Sequence, residues 1–247
     1  MNNKGKTVIV LGSPRSGTSM TAGILSILGV DMGNIRKPDS SNPKGYFEDL
    51  DFQKLGKIIY EKIDKNASGF NLPNQEKIII ESRNFQKEAY RLIQLRKKSK
   101  KTEIWGWKTI STNTLINLYL SYLENPFFIV VIRNPISVGK SINKYSKHKS
   151  KLYDKISTEE GIIININYIE RIMDFYFKNR NLPFLFINFE DLVNNTNSVI
   201  KIISNFIDIQ NKNKLKKAEN FVSSDRKMKY RKSIVRFKEK LKKYISI

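Results

Sequence analysis

A short apolar run that ends in glycine and leads into a helix is the feature that most constrains the fold of this chain. Residues 7–11 form such a run, mostly of β-branched residues, and Gly12 follows them. An uninterrupted apolar strand is typical of a parallel sheet that is buried on both faces. Residues 18–29 then repeat apolar side chains at helical spacing, and Gly29 is well placed to end that helix. The first thirty residues therefore predict a strand, a glycine-rich turn and a helix.

The same alternation continues along the chain. Further strands are predicted over residues 103–108, 127–132 and 184–187, and helices over residues 50–64, 76–97, 112–123, 136–145, 162–176 and 199–206. In the helix over 162–176 we expect Ile162, Ile166, Ile169, Met173 and Tyr176 to share one face. Alternating strands and helices predict an α/β fold, with a central parallel sheet between two layers of helices. We expect a single domain over residues 1–247, in which residues 211–247 form a basic C-terminal segment.

Composition excludes several classes of protein. The chain has no Cys and one His, which excludes disulfides, thiol nucleophiles, Cys-ligated zinc, iron–sulfur clusters and His-rich metal sites. No apolar run approaches the roughly 20 residues of a membrane span. No signal peptide is visible before the first strand, so we expect a cytoplasmic protein.

The formal net charge of +22, from 45 basic and 23 acidic residues, raises the question of a nucleic-acid partner. Lys accounts for 34 of the basic residues and Arg for 11, as an AT-rich coding sequence would produce. Residues 211–247 alone contain 14 basic and 3 acidic residues, a net +11. We favour a solvated surface over a specific nucleic-acid face. A peripheral contact of the basic segment with an anionic membrane, or with a phosphate-bearing small molecule, is left open.

The turn after the first strand, Gly12-Ser-Pro-Arg-Ser-Gly-Thr-Ser19, has the character of a phosphate-binding loop. A strand, a glycine-rich turn and a helix N-terminus direct backbone N–H groups and the helix dipole towards one anion. Gly12, Gly17 and Ser19 fit the nucleoside-triphosphate pattern GxxxxGK[ST], but Thr18 stands where that pattern needs lysine. Arg15 is the cation that the loop offers instead. A P-loop nucleotide or small-molecule kinase is therefore the alternative, and the missing lysine argues against it.

A second basic residue follows the strand over 127–132. Arg133 stands at the carboxyl end of this strand, where open α/β sheets bind ligands, and Pro135 suits the first turn of the next helix. Ser141 follows eight positions after Arg133. A guanidinium and a hydroxyl so arranged can bind a phosphate monoester. The alternative is that Arg133 pairs with a surface carboxylate and that Ser141 is exposed.

Together these segments resemble the sulfotransferases that use 3′-phosphoadenosine 5′-phosphosulfate (PAPS). In that family a loop running from a proline to a Gly-Thr pair binds the 5′-phosphosulfate, which implies this role for Pro14, Arg15, Ser16, Gly17, Thr18 and Ser19. An Arg and a Ser eight positions apart bind the 3′-phosphate, which implies Arg133 and Ser141. Residues 42–49 are similar to a GYFE segment of bacterial members, and residues 189–192 to their YEDL segment. The resemblance covers about residues 6–206.

The resemblance also bears on the base that would activate the acceptor. Animal cytosolic members have a His after a Lys near the third strand, whereas Thr109 follows Lys108 here, and the single His148 has the character of a surface residue. Relatives without that His use a carboxylate shortly after the first helix. This implies Glu48 as the base, with Asp49 and Asp51 as alternatives, although Glu48 and Asp49 could simply begin a helix.

Cations for the leaving group are implied in the same way. Arg15 is the leading candidate to stabilise the bridging oxygen, and Lys108 is either a second cation or an ordinary edge lysine. In the basic segment, Arg226 and Lys227 are candidates to close over the 3′-phosphate.

The implied function is sulfuryl transfer from PAPS, with PAP as product and without a metal, to a hydroxyl or amine of an acceptor. The resemblance favours a glycan, a glycolipid or a small molecule as acceptor. Loops over residues 31–49, 65–75 and 147–158 are expected to shape its pocket.

Overall fold

A computed structural model describes residues 5–39, 42, 44–149 and 154–222. The strands in these residues form one parallel sheet: β1 (Thr7–Leu11), β2 (Trp105–Trp107), β3 (Pro126–Ile132) and β4 (Phe184–Asn188). Their order is β2-β1-β3-β4, and Val8 pairs with Gly106 on one side and with Phe127 on the other. The predicted strands are confirmed in number, order along the chain and parallel direction.

The helices connect these strands and cover both faces of the sheet. They are α1 (Thr18–Leu28), α2 (Leu50–Ile63), α3 (Gln75–Ser82), α4 (Gln86–Ser99), α5 (Thr112–Leu120), α6 (Pro135–His148), α7 (Thr158–Lys178), α8 (Phe189–Asn194), α9 (Thr196–Ile207) and α10 (Lys212–Phe221). Among the helices in the described part of the chain, none combines the length and the apolar character needed to cross a membrane.

Alternate residues of β1 supply two separate cores, which gives the molecule its three layers. Val8 and Val10 pack with residues of α1, α8, α9 and α10, whereas Ile9 and Leu11 pack with residues of α2, α4, α5 and α7. These four side chains are at most 1% exposed. Each such burial stabilises the fold by roughly 1.5–3 kcal/mol. The α/β three-layer fold expected from the sequence is confirmed.

Two predicted helices differ in detail. The stretch over 76–97 is broken by a 3₁₀ turn at Arg83–Phe85, and the bend lets Ile78 of α3 and Ile93 of α4 reach the same core cluster. In α7 the predicted face is wrong by one position. The buried residues are Gly161, Asn165, Tyr168, Ile172 and Phe175. The periodicity missed this face because it begins with a glycine and an amide.

The beginning of the predicted basic segment is a packed helix. Lysine-rich α10 lies against α1 and α9, and its Ala218 is fully buried in the core on that side of the sheet. The rest of the segment, from residue 223, lies outside the described residues.

The strand order defines where a ligand can be bound. The chain passes from β1 to β2 on one side of the sheet, and from β3 to β4 on the other side. The direction of winding therefore reverses between β1 and β3, and their carboxyl ends diverge into a crevice, the usual ligand site of open α/β sheets. The segments that follow β1 and β3 are the two that the sequence selects.

Candidate active site

The conformation of the loop after β1 depends on its glycines and on a buried asparagine. Asn113 of α5 accepts a hydrogen bond from the Gly12 N–H at 2.8 Å and returns one from its Nδ2 to the Gly12 carbonyl at 3.1 Å. Gly17 is the N-cap of α1. Its φ is 110°, and as a glycine it has no side chain to cap the first turn. A Cβ on Gly17 would lie 2.2 Å from Cδ2 of Phe189. The N-terminus of α1 is thus left to bind an anion through its N–H groups and dipole.

Two loop hydroxyls are engaged within the protein. Ser13 donates to Oδ1 of Asn165 at 2.5 Å, and Ser16 donates to the Ser13 carbonyl at 2.8 Å. The Ser16 hydroxyl is fully buried and bonds the loop itself, and a contact of Ser16 to a phosphate stays a prediction. Thr18 and Ser19 both line the cavity described below.

Three residues predicted to bind phosphate lie together in the crevice between β1 and β3. Nε of Arg15 donates to Oγ of Ser141 at 3.3 Å, and Nη1 of Arg133 donates to the Arg15 carbonyl at 2.8 Å. The guanidinium of Arg15 also lies over the ring of Tyr145, and that of Arg133 over the ring of Phe189. Arg15 has φ of 66°, a left-handed conformation that aims its side chain from the loop towards α6. Arg133 and Ser141 are thus neighbours of the loop rather than isolated surface groups.

Lys108 and Glu48 form a buried ion pair at the carboxyl end of β2. Nζ of Lys108 lies 3.0 Å from Oε1 of Glu48 and donates to Oγ of Ser19 at 3.2 Å. The exposed fractions of Lys108 and Glu48 are 2% and 7%. Burial lowers the pKa of Lys108, although the carboxylate of Glu48 acts in the opposite direction. Lys108 is therefore not an ordinary exposed edge lysine.

The backbone around Glu48 is fixed by its neighbours. The carbonyl of Glu48 accepts the backbone N–H of Arg36 at 2.8 Å, and its Oε2 accepts Nε2 of Gln53 at 3.1 Å. Glu48 lies before α2 rather than within its first turn. The alternative in which Glu48 simply begins the helix does not describe this side chain.

The alternative carboxylates are placed differently. Asp49 is the N-cap of α2: its Oδ1 accepts the N–H groups of Asp51 and Phe52, and its Oδ2 lies 3.3 Å from Nε of Arg96. Asp49 is fully buried, and burial raises its pKa. Asp51 is exposed and does not line the cavity. Asp49 and Asp51 are thus poor candidates for a base, because one is a buried cap and the other faces solvent outside the cavity.

A cavity of about 660 Å³ opens in front of these groups. The candidate residues on its wall are Pro14, Arg15, Thr18, Ser19, Glu48 and Lys108. Two of the loops expected to shape an acceptor pocket contribute, the first through Arg36 and Tyr46 and the second through residues 67–70. From the third loop, over 147–158, no described residue lines the cavity, and Tyr145 of α6 takes that position.

The remaining predicted residues are not brought to this site by the described structure. His148 is exposed at the end of α6 and does not line the cavity. Arg226 and Lys227 lie outside the described residues. Within the residues that the structure describes, no group of three or more His, Cys, Asp or Glu side chains is placed to hold a metal ion.

Sequence reasoning missed several residues that build the site. Asn113 and Asn165 hold the loop, and Arg36 lines the cavity next to Glu48. Two residues of the YEDL-like segment support the site. Phe189 packs on Gly17, and Oε1 of Glu190 accepts the backbone N–H of Asn134 at 3.1 Å. An amide within a predicted helix suggests an exposed residue, so no local signal identified either asparagine.

Comparison with solved structures finds the same fold in bacterial sulfotransferases. The sulfotransferase domain from the curacin biosynthetic pathway superposes with a TM-score of 0.56 at 13% identity, covering 85% of this chain and 76% of that one. The sulfotransferase domain of the Synechococcus PCC 7002 olefin synthase gives 0.51 at 16% identity, covering 87% and 77%. Sulfotransferase STF9 from Mycobacterium avium gives 0.52 at 14% identity, covering 89% and 68%.

The sequence itself points to the same class. No curated protein matches it. The model of the sulfotransferase family matches residues 7–213, which include the loop after β1, Glu48, Lys108, Arg133 and Ser141. This chain therefore belongs to the sulfotransferase family.

Proposed function

We propose that this protein transfers a sulfuryl group from PAPS to a hydroxyl of an acceptor held in the cavity. The observation that carries the proposal is that Glu48, Lys108 and Arg15 line the same cavity as Thr18 and Ser19 at the N-terminus of α1. Sulfuryl transfer, like phosphoryl transfer, depends mostly on positioning and on stabilising charge in an in-line displacement. A carboxylate base for the acceptor and cations for the leaving group are what such a displacement uses.

The two ends of the crevice suit the two phosphates of the donor. The N–H groups of Gly17, Thr18 and Ser19, at the start of α1, would bind the 5′-phosphosulfate, and Pro14, Arg15 and Ser16 would form the rest of its loop. Arg133 and Ser141, which already contact Arg15, would bind the 3′-phosphate by charge-assisted hydrogen bonds. Arg226 and Lys227 are proposed to add cations to this end. The GxxxxGK[ST] pattern has Thr18 in place of its lysine, and the loop offers Arg15 as its cation instead, which supports PAPS rather than a nucleoside triphosphate.

Each reacting group has a place in the displacement. Glu48 would take the proton of the acceptor hydroxyl while the acceptor oxygen bonds to sulfur. Arg15 and Lys108 would stabilise the negative charge left on the bridging oxygen as its bond to sulfur breaks. Ser19, which accepts a hydrogen bond from Lys108, holds that ammonium at the loop. A glycan, a glycolipid or a small hydroxylated molecule is the proposed acceptor.

Ligand-induced thermal stabilisation tests the donor. We expect PAP to raise the melting temperature strongly and ATP with Mg²⁺ to have little effect, because the loop lacks the lysine of the GxxxxGK[ST] pattern. The Arg133→Ala variant should lose the PAP effect. Stabilisation by ATP–Mg²⁺ in preference to PAP would instead favour a kinase.

Transfer of labelled sulfate from PAPS tests the base. With a panel of sugars, glycosides and phenols as acceptors, Glu48→Gln should lower kcat by about 10²–10⁴-fold while PAP still binds. Asp51→Asn is the matched control, because it removes the same charge three positions away at an exposed site outside the cavity. Equal activity of the Glu48→Gln variant and the wild type would rule out Glu48 as the base.

A further inference from the structure

The proposed reaction leaves part of the cavity wall without a role. Arg36, Lys54 and Lys57 line the same cavity as Glu48 but belong to the segment before α2 and to α2 itself rather than to the loop after β1. Aromatic side chains also line this cavity, namely those of Tyr46, Tyr60 and Phe70. This is the space left for the body of an acceptor once the donor occupies the loop.

The charge in this part of the cavity is unbalanced. Among the described residues that line the cavity, Glu48 is the only carboxylate, and Lys108 already neutralises it at 3.0 Å. Lys57 has a partner in Glu61 at 3.5 Å, but both side chains are more than half exposed, so this pair contributes little. No described residue forms an ion pair or a hydrogen bond with the side chain of Lys54. Lys54 and Arg36 therefore line the acceptor space without a cavity-lining carboxylate to neutralise them, since Asp39, the partner of Arg36, does not line the cavity.

Arg36 is held in position rather than free to swing into solvent. Its backbone N–H donates to the Glu48 carbonyl, which places Arg36 directly beside the proposed base. Its guanidinium carbon lies 4.0 Å from the centroid of the Tyr46 ring, and Nη2 lies 3.6 Å from Oδ2 of Asp39. Asp39 in turn accepts the Tyr46 hydroxyl and lies 3.5 Å from Nζ of Lys149, so its charge is shared.

An orientated guanidinium suits an anion better than a neutral sugar. A guanidinium has five N–H donors in a planar fork that matches phosphate and carboxylate. Within the described part of the chain, Arg36 forms an ion pair with Asp39, which leaves most of these donors for a ligand. Because lysine is frequent throughout this chain, the number of cations on the wall is not itself informative. The fixed position of Arg36 beside Glu48, together with the absence of a second carboxylate among the described residues of the wall, is what indicates an anion.

We propose that the acceptor carries an anionic group, phosphate or carboxylate, near the hydroxyl that receives the sulfuryl group, and that Arg36 and Lys54 bind this group. This inference rests on the proposed function, since it assigns the donor to Arg15, Arg133 and the loop. The aromatic side chains of the wall would contact the body of the same molecule.

Calorimetric titration of three small probes tests the subsite without requiring the true acceptor. Phenyl phosphate, benzoate and phenol share an aromatic ring but differ in charge, and each is titrated into protein saturated with PAP. We expect at least one of the two anions to bind at least tenfold more tightly than phenol. Arg36→Ala and Lys54→Ala should each weaken that anion about tenfold, the loss expected for a charge-assisted hydrogen bond, and leave phenol unchanged.

Lys62→Ala is the matched control, because Lys62 is an exposed lysine of α2 that does not line the cavity. It should bind all three probes like the wild type. Lys54 is exposed and has no ion-pair or hydrogen-bond partner among the residues that the structure describes, so its variant remains informative even if Arg36→Ala folds poorly. Equal affinity for phenol and both anions, or anion binding that neither variant weakens, would overturn the proposal.

A separate titration of PAP alone distinguishes failure of the donor assignment from failure of the anion subsite. A protein that binds no PAP contradicts the proposed function, and the probes are then titrated into the Arg133→Ala variant to reduce anion binding at the loop. Weaker anion binding after Arg36→Ala in that background would still support the subsite, whereas unchanged binding would overturn it.

Discussion

The buried pair of Lys108 and Glu48 makes a quantitative prediction about stability as well as activity. Glu48→Gln preserves the shape of the side chain and an oxygen that can accept from Lys108, but it removes the negative charge. Gln53, the other partner of Glu48, can rotate its own amide to fit the new one. The change therefore isolates the charge of a partner that lies 3.0 Å from an ammonium only 2% exposed.

The expected cost follows from this geometry. Breaking a buried ion pair by removing one partner costs about 3–5 kcal/mol. We expect about 3 kcal/mol at pH 7, the lower end, because the glutamine oxygen still accepts a hydrogen bond. For a chain of this length that corresponds to a fall in melting temperature of about 6–12 °C.

The pH dependence has a definite sign. Burial already lowers the pKa of Lys108 in the folded protein, and loss of the Glu48 charge lowers that pKa further. Between the folded pKa and the unfolded value of about 10.4, the unfolded chain binds more protons than the folded protein, so stability rises with pH. In the variant this rise begins at lower pH. The difference in stability between wild type and variant should therefore be largest near pH 6 and shrink towards pH 10.

Urea denaturation of wild type and variant between pH 6 and pH 10 measures this difference. Adding Lys108→Met to Glu48→Gln removes the stranded ammonium and should recover most of the lost stability. Asp51→Asn is the control for removal of a negative charge and should cost less than about 1 kcal/mol, since Asp51 is exposed. A Glu48→Gln variant as stable as the wild type at pH 7, or a deficit that grows towards pH 10, would refute the reasoning.

Three further predictions test how the loop after β1 and the segment before α2 are supported. Gly17→Ala should destabilise the fold by more than about 2 kcal/mol and abolish PAP stabilisation in a thermal shift assay, because φ is 110° and the new Cβ would overlap the ring of Phe189. Asn113→Ala should cost about 2–3 kcal/mol in urea denaturation, since it leaves the buried N–H of Gly12 without its acceptor. Arg96→Leu should cost about 3–5 kcal/mol at pH 7 and less at pH 4, because burial raises the pKa of Asp49 and its unpaired carboxyl can take up a proton at low pH. Wild-type stability in any of these variants would contradict the support assigned to that residue.

The parts of the fold that the sequence predicted are those with a local signal. Residues 7–11, 127–132 and 184–187 are continuous apolar runs, and β1, β3 and β4 were recognised for this reason, although β4 is partly exposed. The loop after β1 was recognised because a positive φ and the lack of a side-chain cap favour glycine at Gly17. Strand order did not follow from these signals. Only the structure showed that β1 and β3 are neighbours, so that the segments after them meet where the direction of winding reverses.

The parts that the sequence did not predict depend on partners far apart in the chain. Ser13 and Asn165 are separated by 152 positions, so no local pattern joins them, and an amide in the middle of a helix suggests an exposed residue. For the same reason the predicted buried face of α7 was wrong by one position. Gly161 appeared to interrupt that face, yet it allows α7 to approach Gly139 of α6, where a Cβ would lie 2.8 Å from the Gly139 Cα. A pattern of apolar residues cannot report buried contacts made by amides and glycines.

The adjacent carboxylates Glu48 and Asp49 show how the sequence could name a segment without separating its roles. In an extended backbone, successive side chains point to opposite sides, so two neighbouring acids cannot both face the cavity. Asp49 turns inward, where it caps α2 and pairs with Arg96, while Glu48 turns towards the cavity and pairs with Lys108. The buried pair of Asp49 and Arg96 thus fixes the backbone from which Glu48 projects. Asp49 is therefore the anchor and Glu48 the proposed base. Their roles differ because Arg96 lies on one side of this backbone and Lys108 on the other.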